Sequence, residues 1–280
     1  MKKTKQIQIA VVLGVVLIMG LLLAQPIKGL VTEPQAEETA SSGGAMRMFT
    51  MEDVSAMSKQ GMNPTLADEI SKLEGQLAGS EAEDRLAILE QIAQKWDDLA
   101  KFAPQGFVYE EMAKTNPKFE YWLQAGDAYR KAYTNLQDTV LARELNRLAM
   151  DSYQQAVDLD GSSLAAKTGL GATMVTGTNN PMAGIAILRE VVAIDPKNLE
   201  ANKTLGLFSM QSRQFDRAVE RFLTVIEIKP DAESYFYLAT SYENIGLKNE
   251  AIAAFQKSKE MAADPTLSQF IERRIEELSK

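Results

Sequence analysis

The sequence predicts an all-α chain in which helical hairpins stack on one another. Three observations carry that prediction. Residues 199–231 read as two helical patterns joined by a short polar turn and stopped by Pro230. The same arrangement recurs at steps of 33 to 35 residues. Ala, Leu, Glu, Lys and Gln dominate, and alternating β-branched residues are scarce, which favours helix over strand.

In chain order, residues 1–31 read as a short cytoplasmic tail and a transmembrane signal anchor. Ile9 to Ala24 is an uninterrupted apolar run of 16 residues, and Ile7 extends it to 18 with only Gln8 inside. Eighteen residues at about 1.5 Å each give about 27 Å, the short end of a bilayer span. The alternative is a secreted protein with a cleaved signal peptide. With Ala24 or Gly29 before the cut, however, Leu22 or Ile27 falls where a second small residue is needed. Lys2, Lys3 and Lys5 place the N-terminus on the cytoplasmic side. Residues 32–62 read as a flexible linker rich in Ser, Thr, Glu, Gly and Ala. Within it, Thr50 and Asp53 are placed to cap a short helix ending at Gly61. Met46, Met48, Met51, Met57 and Met62 cluster there as loosely packed linker and helix residues.

Residues 63–118 form the N-terminal helices. Asn63 is an N-cap followed by Pro64 at the first helical position. Ser80 and Glu83 have capping-box spacing ahead of a long helix. That helix carries an apolar stripe of Leu86, Leu89, Ile92, Ala93, Trp96 and Leu99. Pro104 opens a second helix bearing Tyr109 and Met112, and Pro117 closes it. Residues 86–118 thus read as a degenerate hairpin, with Trp96 and the later Trp122 as core residues.

Residues 119–265 divide into four units: 119–163, 164–198, 199–231 and 232–265. The first is long, because Ala125 to Ala149 spans 24 residues where Leu170 to Gly184 spans 14. The surplus around Asn135–Glu144 predicts that both of its helices project beyond the stack. In the second, Gly177, Asn179, Asn180 and Pro181 read as a loose turn. Residues 266–280 read as a capping helix after Pro265, with Leu267, Phe270, Ile271, Ile275 and Leu278 on its apolar side. A stack of repeats needs such an end, polar on one face.

The recurrence is specific in both helices of each unit. The second helices carry a small residue at Ala149, Gly184, Ala218 and Ala251, followed four residues later by Tyr153, Leu188, Phe222 and Phe255. The first helices carry Ala125-Gly126, Leu170-Gly171, Leu205-Gly206 and Leu238-Ala239, with Tyr129, Met174 and Tyr242 three residues beyond three of those pairs. This resembles the tetratricopeptide repeat, W-x2-L-G-x2-Y then A-x3-F then P in about 34 residues. Trp122-x-x-Ala125-Gly126-x-x-Tyr129 and Tyr235-x-x-Leu238-Ala239-x-x-Tyr242 are close matches. The departures are Gly161 and Ala263 in place of the terminal proline, and Ser209 in place of Tyr.

The resemblance implies a right-handed α-solenoid whose first helices line a concave groove, with positions 2, 5, 9 and 12 of each repeat facing in. Carrying over positions 5, 9 and 12 gives Leu123, Asp127 and Arg130, then Thr168, Ala172 and Val175. The third unit contributes Lys203, Leu207 and Met210, and the fourth Phe236, Thr240 and Glu243. This stripe of apolar side chains and isolated charges suits an extended peptide or a partner helix.

Composition narrows the chemistry. The chain has no Cys and no His, which removes disulfides, thiol nucleophiles and imidazole bases. Paired acids at Asp97-Asp98, Glu110-Glu111 and Glu276-Glu277 point about 100° apart on a helix and do not converge. No enzyme activity, cofactor or metal is expected. Beyond the anchor, 26 basic residues face 38 acidic ones, so nucleic-acid binding is not expected either. The layout of basic tail, single anchor, acidic tether and repeats is similar to bacterial inner-membrane proteins of this family. It implies a single-pass protein, bilayer-bound through residues 7–24, with a periplasmic repeat domain. Such a scaffold binds protein or peptide partners as an accessory or chaperone-like component of an envelope or secretion complex. The alternative is a self-assembling structural protein, a homo-oligomer.

Overall fold

The computed structural model describes residues 49–134, 136–178 and 180–280. Among them are 13 α-helices and no strand. The expected anchor (residues 1–31) and linker residues 32–48 lie outside the described residues. Among the described residues no helix is long and apolar enough to cross a membrane.

The first helix, α1 (Met51–Lys59), starts with the expected capping box: the Thr50 hydroxyl accepts from the Asp53 amide at 3.1 Å, and the Asp53 carboxylate accepts from the Thr50 amide at 2.8 Å. Val54 is 1% exposed and joins a core cluster with Phe107 and Tyr129. Helix α1 is therefore part of the folded body, where the sequence reading had linker. Asn63 caps α2 (Pro64–Gly79) as expected. The Ser80 capping box does not form. Helix α3 (Ala82–Asp98) has Glu81 at its N-cap with no side-chain cap bond, and the Ser80 hydroxyl donates back to the Leu77 carbonyl at the end of α2. Two helices meet within two residues here, and the departing one uses the serine.

The α3 stripe and α4 (Phe102–Thr115) bury Leu89, Ile92, Ala93, Trp96, Val108 and Met112 against Ile70 and Leu77 of α2. Trp96 is a core residue as expected; Trp122 is only half-buried and belongs to no core cluster.

Four hairpins follow, the first of them long. They are α5 (Phe119–Tyr133) with α6 (Thr139–Leu159), α7 (Leu164–Gly177) with α8 (Pro181–Ile194), α9 (Leu199–Gln211) with α10 (Phe215–Ile228), and α11 (Ala232–Asn244) with α12 (Lys248–Met261). Each helix packs on its neighbours in chain order from α2 to the closing helix α13 (Pro265–Leu278), and first helices also touch the next first helix, α5 on α7 and α7 on α9. The recurring residues explain the stacking. Ala149, Ala218 and Ala251 are fully buried, and Tyr153, Leu188, Phe222 and Phe255 at 0–1% exposure fill the space four residues on. Cores of this density do not tolerate added atoms.

Capping repeats as well. Ser163, Asn198, Asp231 and Asp264 each accept a backbone N–H at the start of α7, α9, α11 and α13. Helix α13 thus occupies the slot of a first helix, burying Ile271 while Phe270 stays 47% exposed. The apolar stripe expected there is only partly covered among the described residues.

The elongated first unit differs from the expectation. Helix α5 has 15 residues against 13 or 14 in its counterparts, and the surplus falls on α6, which has 21 against 14. Nor does the extension project free. Asp138 caps it, Leu141 and Leu145 are buried in the first core cluster, and the Asn146 amide reaches the Thr173 carbonyl on α7. Gly177, expected in a turn, is the last residue of α7, where an added Cβ would fall 1.9 Å from Asn146 Oδ1. That close approach explains why the position holds glycine.

Candidate functional site

The first helices α5, α7, α9 and the start of α11 enclose a groove of about 580 Å³. Among the described residues no second helix lines it. Ala172, Val175, Leu207 and Phe208 supply apolar wall, and Arg130, Glu200, Lys203 and Glu233 the charges. Helical spacing of three and four residues along α9 puts Glu200, Lys203, Leu207 and Gln211 on one face.

The charges are not isolated, contrary to the sequence reading. Arg130 donates from Nη1 to Glu200 at 2.9 Å and from Nε to the Tyr153 hydroxyl at 3.2 Å, and that hydroxyl donates to Asp127 at 2.6 Å. Burial disfavours the Arg130 guanidinium, but Tyr153, Glu200 and Asp127 outweigh it and hold the pKa above its ordinary value. Burial and the Asp127 charge push the Tyr153 phenol up, so the hydroxyl stays a donor. Further along, Lys203 donates to Glu233 at 2.6 Å, and the Tyr237 hydroxyl donates to the same carboxylate at 2.8 Å. Burial lowers the Lys203 pKa, yet the bond to Glu233 and its charge raise it overall. Tyr237 is pushed up to about 12 by burial and then by Glu233.

Of the twelve residues carried over from the repeat pattern, Arg130, Ala172, Val175, Lys203 and Leu207 line this groove. Phe236, Thr240 and Glu243 line a second cavity of about 590 Å³, closed by Phe270, Arg273 and Arg274 of α13. There Glu243 takes both Arg274 Nε, at 3.0 Å, and Nη2, an ion pair that ties the closing helix to the last hairpin. The other four line neither cavity. Leu123 packs on the first core cluster, Asp127 holds Tyr153, Met210 packs against the last cluster, and Thr168 is buried with its hydroxyl on the Leu164 carbonyl.

Two groove residues escaped the carry-over although the signal was present. Glu200 and Glu233 occupy position 2 of their units, which the repeat pattern also turns inward. Tyr133, Thr176, Thr204 and Gln211 had no such signal, since they stand at the groove only because neighbouring first helices pack side by side. Among the described residues there is no cluster of three or more acidic side chains arranged to hold a metal ion.

Comparison with known proteins agrees with this architecture. Residues 232–265 match the Tetratricopeptide repeat family. Two crystal structures of MamA superpose with TM-scores of 0.51 and 0.50 at 25% and 26% identity, covering 64% and 61% of this chain and 92% and 94% of theirs. Anaphase-promoting complex subunit 3 of Dictyostelium discoideum is 27% identical over 125 residues, 44% of this chain and only 13% of the relative's own length. The chain thus shares the fold of tetratricopeptide-repeat proteins, and residues 232–265 carry that family's sequence pattern.

Proposed function

We propose that the chain is a scaffold that binds an extended peptide or a partner helix in the groove of α5, α7, α9 and α11. One observation carries the reading: an apolar wall of Ala172, Val175, Leu207 and Phe208 flanked by the ion pairs Arg130–Glu200 and Lys203–Glu233. Part-exposed pairs of this kind are worth only about 0–1 kcal/mol each. A partner's own charges can therefore exchange for them at little cost, while the wall supplies apolar burial. The paired state also keeps the empty groove from presenting bare charge.

The finer part of the proposal rests on the sequence. Residues 7–24 anchor the chain in a bacterial inner membrane, the repeat domain faces the periplasm, and the partner belongs to an envelope or secretion assembly. Crosslinking in native membranes followed by mass spectrometry tests both parts. Leu207→Glu should abolish capture while far-ultraviolet circular dichroism stays unchanged. Capture that survives the substitution refutes the groove, and release of the full chain by alkaline carbonate refutes the anchor.

A further inference from the structure

The opposite flank of α9 holds a second kind of site. Helices α8 and α10 stand on either side of it and leave a cavity of about 720 Å³. Its floor is apolar, with Ile185, Val192, Leu205 and Phe208. Around it stand Arg189, Arg217 and Arg221, with Glu220 as the sole acidic lining residue.

The cavity follows from one sequence departure. Ser209 stands where the other units have Tyr129, Met174 and Tyr242. Tyr129 fills the corresponding space against the preceding helix so closely that an added Cβ on Gly106 would lie 2.5 Å from its ring. Ser209 leaves that space open, its hydroxyl turned back to the Leu205 carbonyl at 2.8 Å.

Arg189 and Arg217 are exposed at the rim, and Arg221 is part-buried and differs from the other part-buried arginines. Arg85, Arg130, Arg147 and Arg274 each meet a carboxylate. Arg221 instead donates to Oδ1 of Asn202 at 2.9 Å, and Asn202 is fully buried and anchored to the Pro196 and Asn198 carbonyls. Arg217 donates to Gln214, and Arg189 makes no hydrogen bond or ion pair among the described residues. Burial, with Glu220 opposing and Arg189 adding repulsion, pulls the Arg221 pKa below its ordinary value. The repeat does not require arginine there, since the counterparts of Arg221 are Ser152, Ile187 and Ala254. On a chain of net charge −8, an unneutralised guanidinium cluster over an apolar floor is a place for an anion with an apolar body.

We propose that this cavity binds an acidic peptide segment that carries apolar side chains beside its carboxylates. The guanidinium forks take the carboxylates, and the floor opened by Ser209 takes the neighbouring side chain. An inorganic anion would leave that floor uncovered. The site lies across α9 from the groove, shares only Phe208 with it, and does not rest on the groove's proposed function.

The test is fluorescence anisotropy of a labelled peptide alternating Glu and Leu, titrated with the full chain at low and at physiological salt. Arg189→Gln with Arg217→Gln should weaken binding about tenfold or more, as expected when two charge partners of the bound carboxylates are removed. Ser209→Tyr should weaken it as much by filling the space, without lowering the thermal midpoint. The same peptide with Gln for Glu should bind as poorly, whereas the groove variant Leu207→Glu should change nothing. The proposal is overturned if the peptide does not bind, if it binds the arginine or Ser209→Tyr variants as well as the parent, or if only the groove variant loses it. It is equally overturned if inorganic phosphate or phosphatidylglycerol vesicles bind through the arginines and the peptide does not.

Discussion

Replacing Gly184 by alanine, with the same change at Gly75 as its control, tests the stacking argument most directly. Gly184 lies on α8 against α7, and a Cβ there would sit 2.5 Å from the Gly171 carbonyl oxygen, 2.9 Å from Met174 Cβ and 3.0 Å from Val175 Cγ2. The nearest atom is backbone, so no rotamer change relieves the contact. Restoring ordinary van der Waals separation moves the helices apart by roughly 1 Å, which forfeits about a quarter to a half of each dispersion contact between them. Overpacking of this kind costs about 1–3 kcal/mol. Alanine's helix propensity returns about 1 kcal/mol. The net expectation is a loss of up to about 2 kcal/mol. Gly75 is also helical, inside α2, but has nothing within 4 Å of its would-be Cβ. There only the propensity gain remains, about 1 kcal/mol of stabilisation. Urea denaturation followed by circular dichroism should therefore move the two midpoints in opposite directions or leave Gly184→Ala well below Gly75→Ala. Equal stabilisation by both substitutions would refute the close α7–α8 approach.

Two further outcomes follow from the same packing and charge arrangement. Ala218→Leu inserts three carbons at a fully buried position and should cost about 1–3 kcal/mol, read from the thermal midpoint; an unchanged midpoint contradicts its placement between α9, α10 and α11. Tyr237 has its pKa raised to about 12 by burial and Glu233, so the neutral phenol is the form the fold favours. Its stability contribution is present below the unfolded value of about 10 and is lost as pH rises towards 12. Tyr237→Phe should show a smaller fall in denaturation midpoint between those pH values than the parent, and an identical fall removes Tyr237 from that dependence.

The hairpins were legible because each buries residues at a fixed period, and burial at a fixed period leaves a fixed residue type. Ala149, Ala218 and Ala251 must be small where helices touch, and Tyr153, Leu188, Phe222 and Phe255 must be large where a space repeats. Helix starts were legible where a side chain caps locally, as at Thr50 and Asn63. Ser80 misled because its hydroxyl had two helix ends within reach, and spacing alone does not choose between them. The surplus in the first unit was visible as length, but its allocation to α6 alone depends on Leu141 and Leu145 finding a core made by α1, α4 and α5.

The candidate groove divides in the same way. Position within the repeat identified Arg130, Val175, Lys203 and Leu207, because helical phase is a property of the chain itself. Phase does not say what a charged side chain meets on the next helix, so the pairing of Arg130 with Glu200 and of Lys203 with Glu233 emerges only when the first helices lie side by side. The arginines over the Ser209 cavity, which meet no carboxylate among the described residues, belong to that second category too. By itself the sequence determined which surfaces are apolar, where helices start and at what period they recur, since these depend on neighbours within a turn or two. Only the tertiary structure decided which charges neutralise one another and which stay free, because that is set by distances between residues 19 to 70 positions apart.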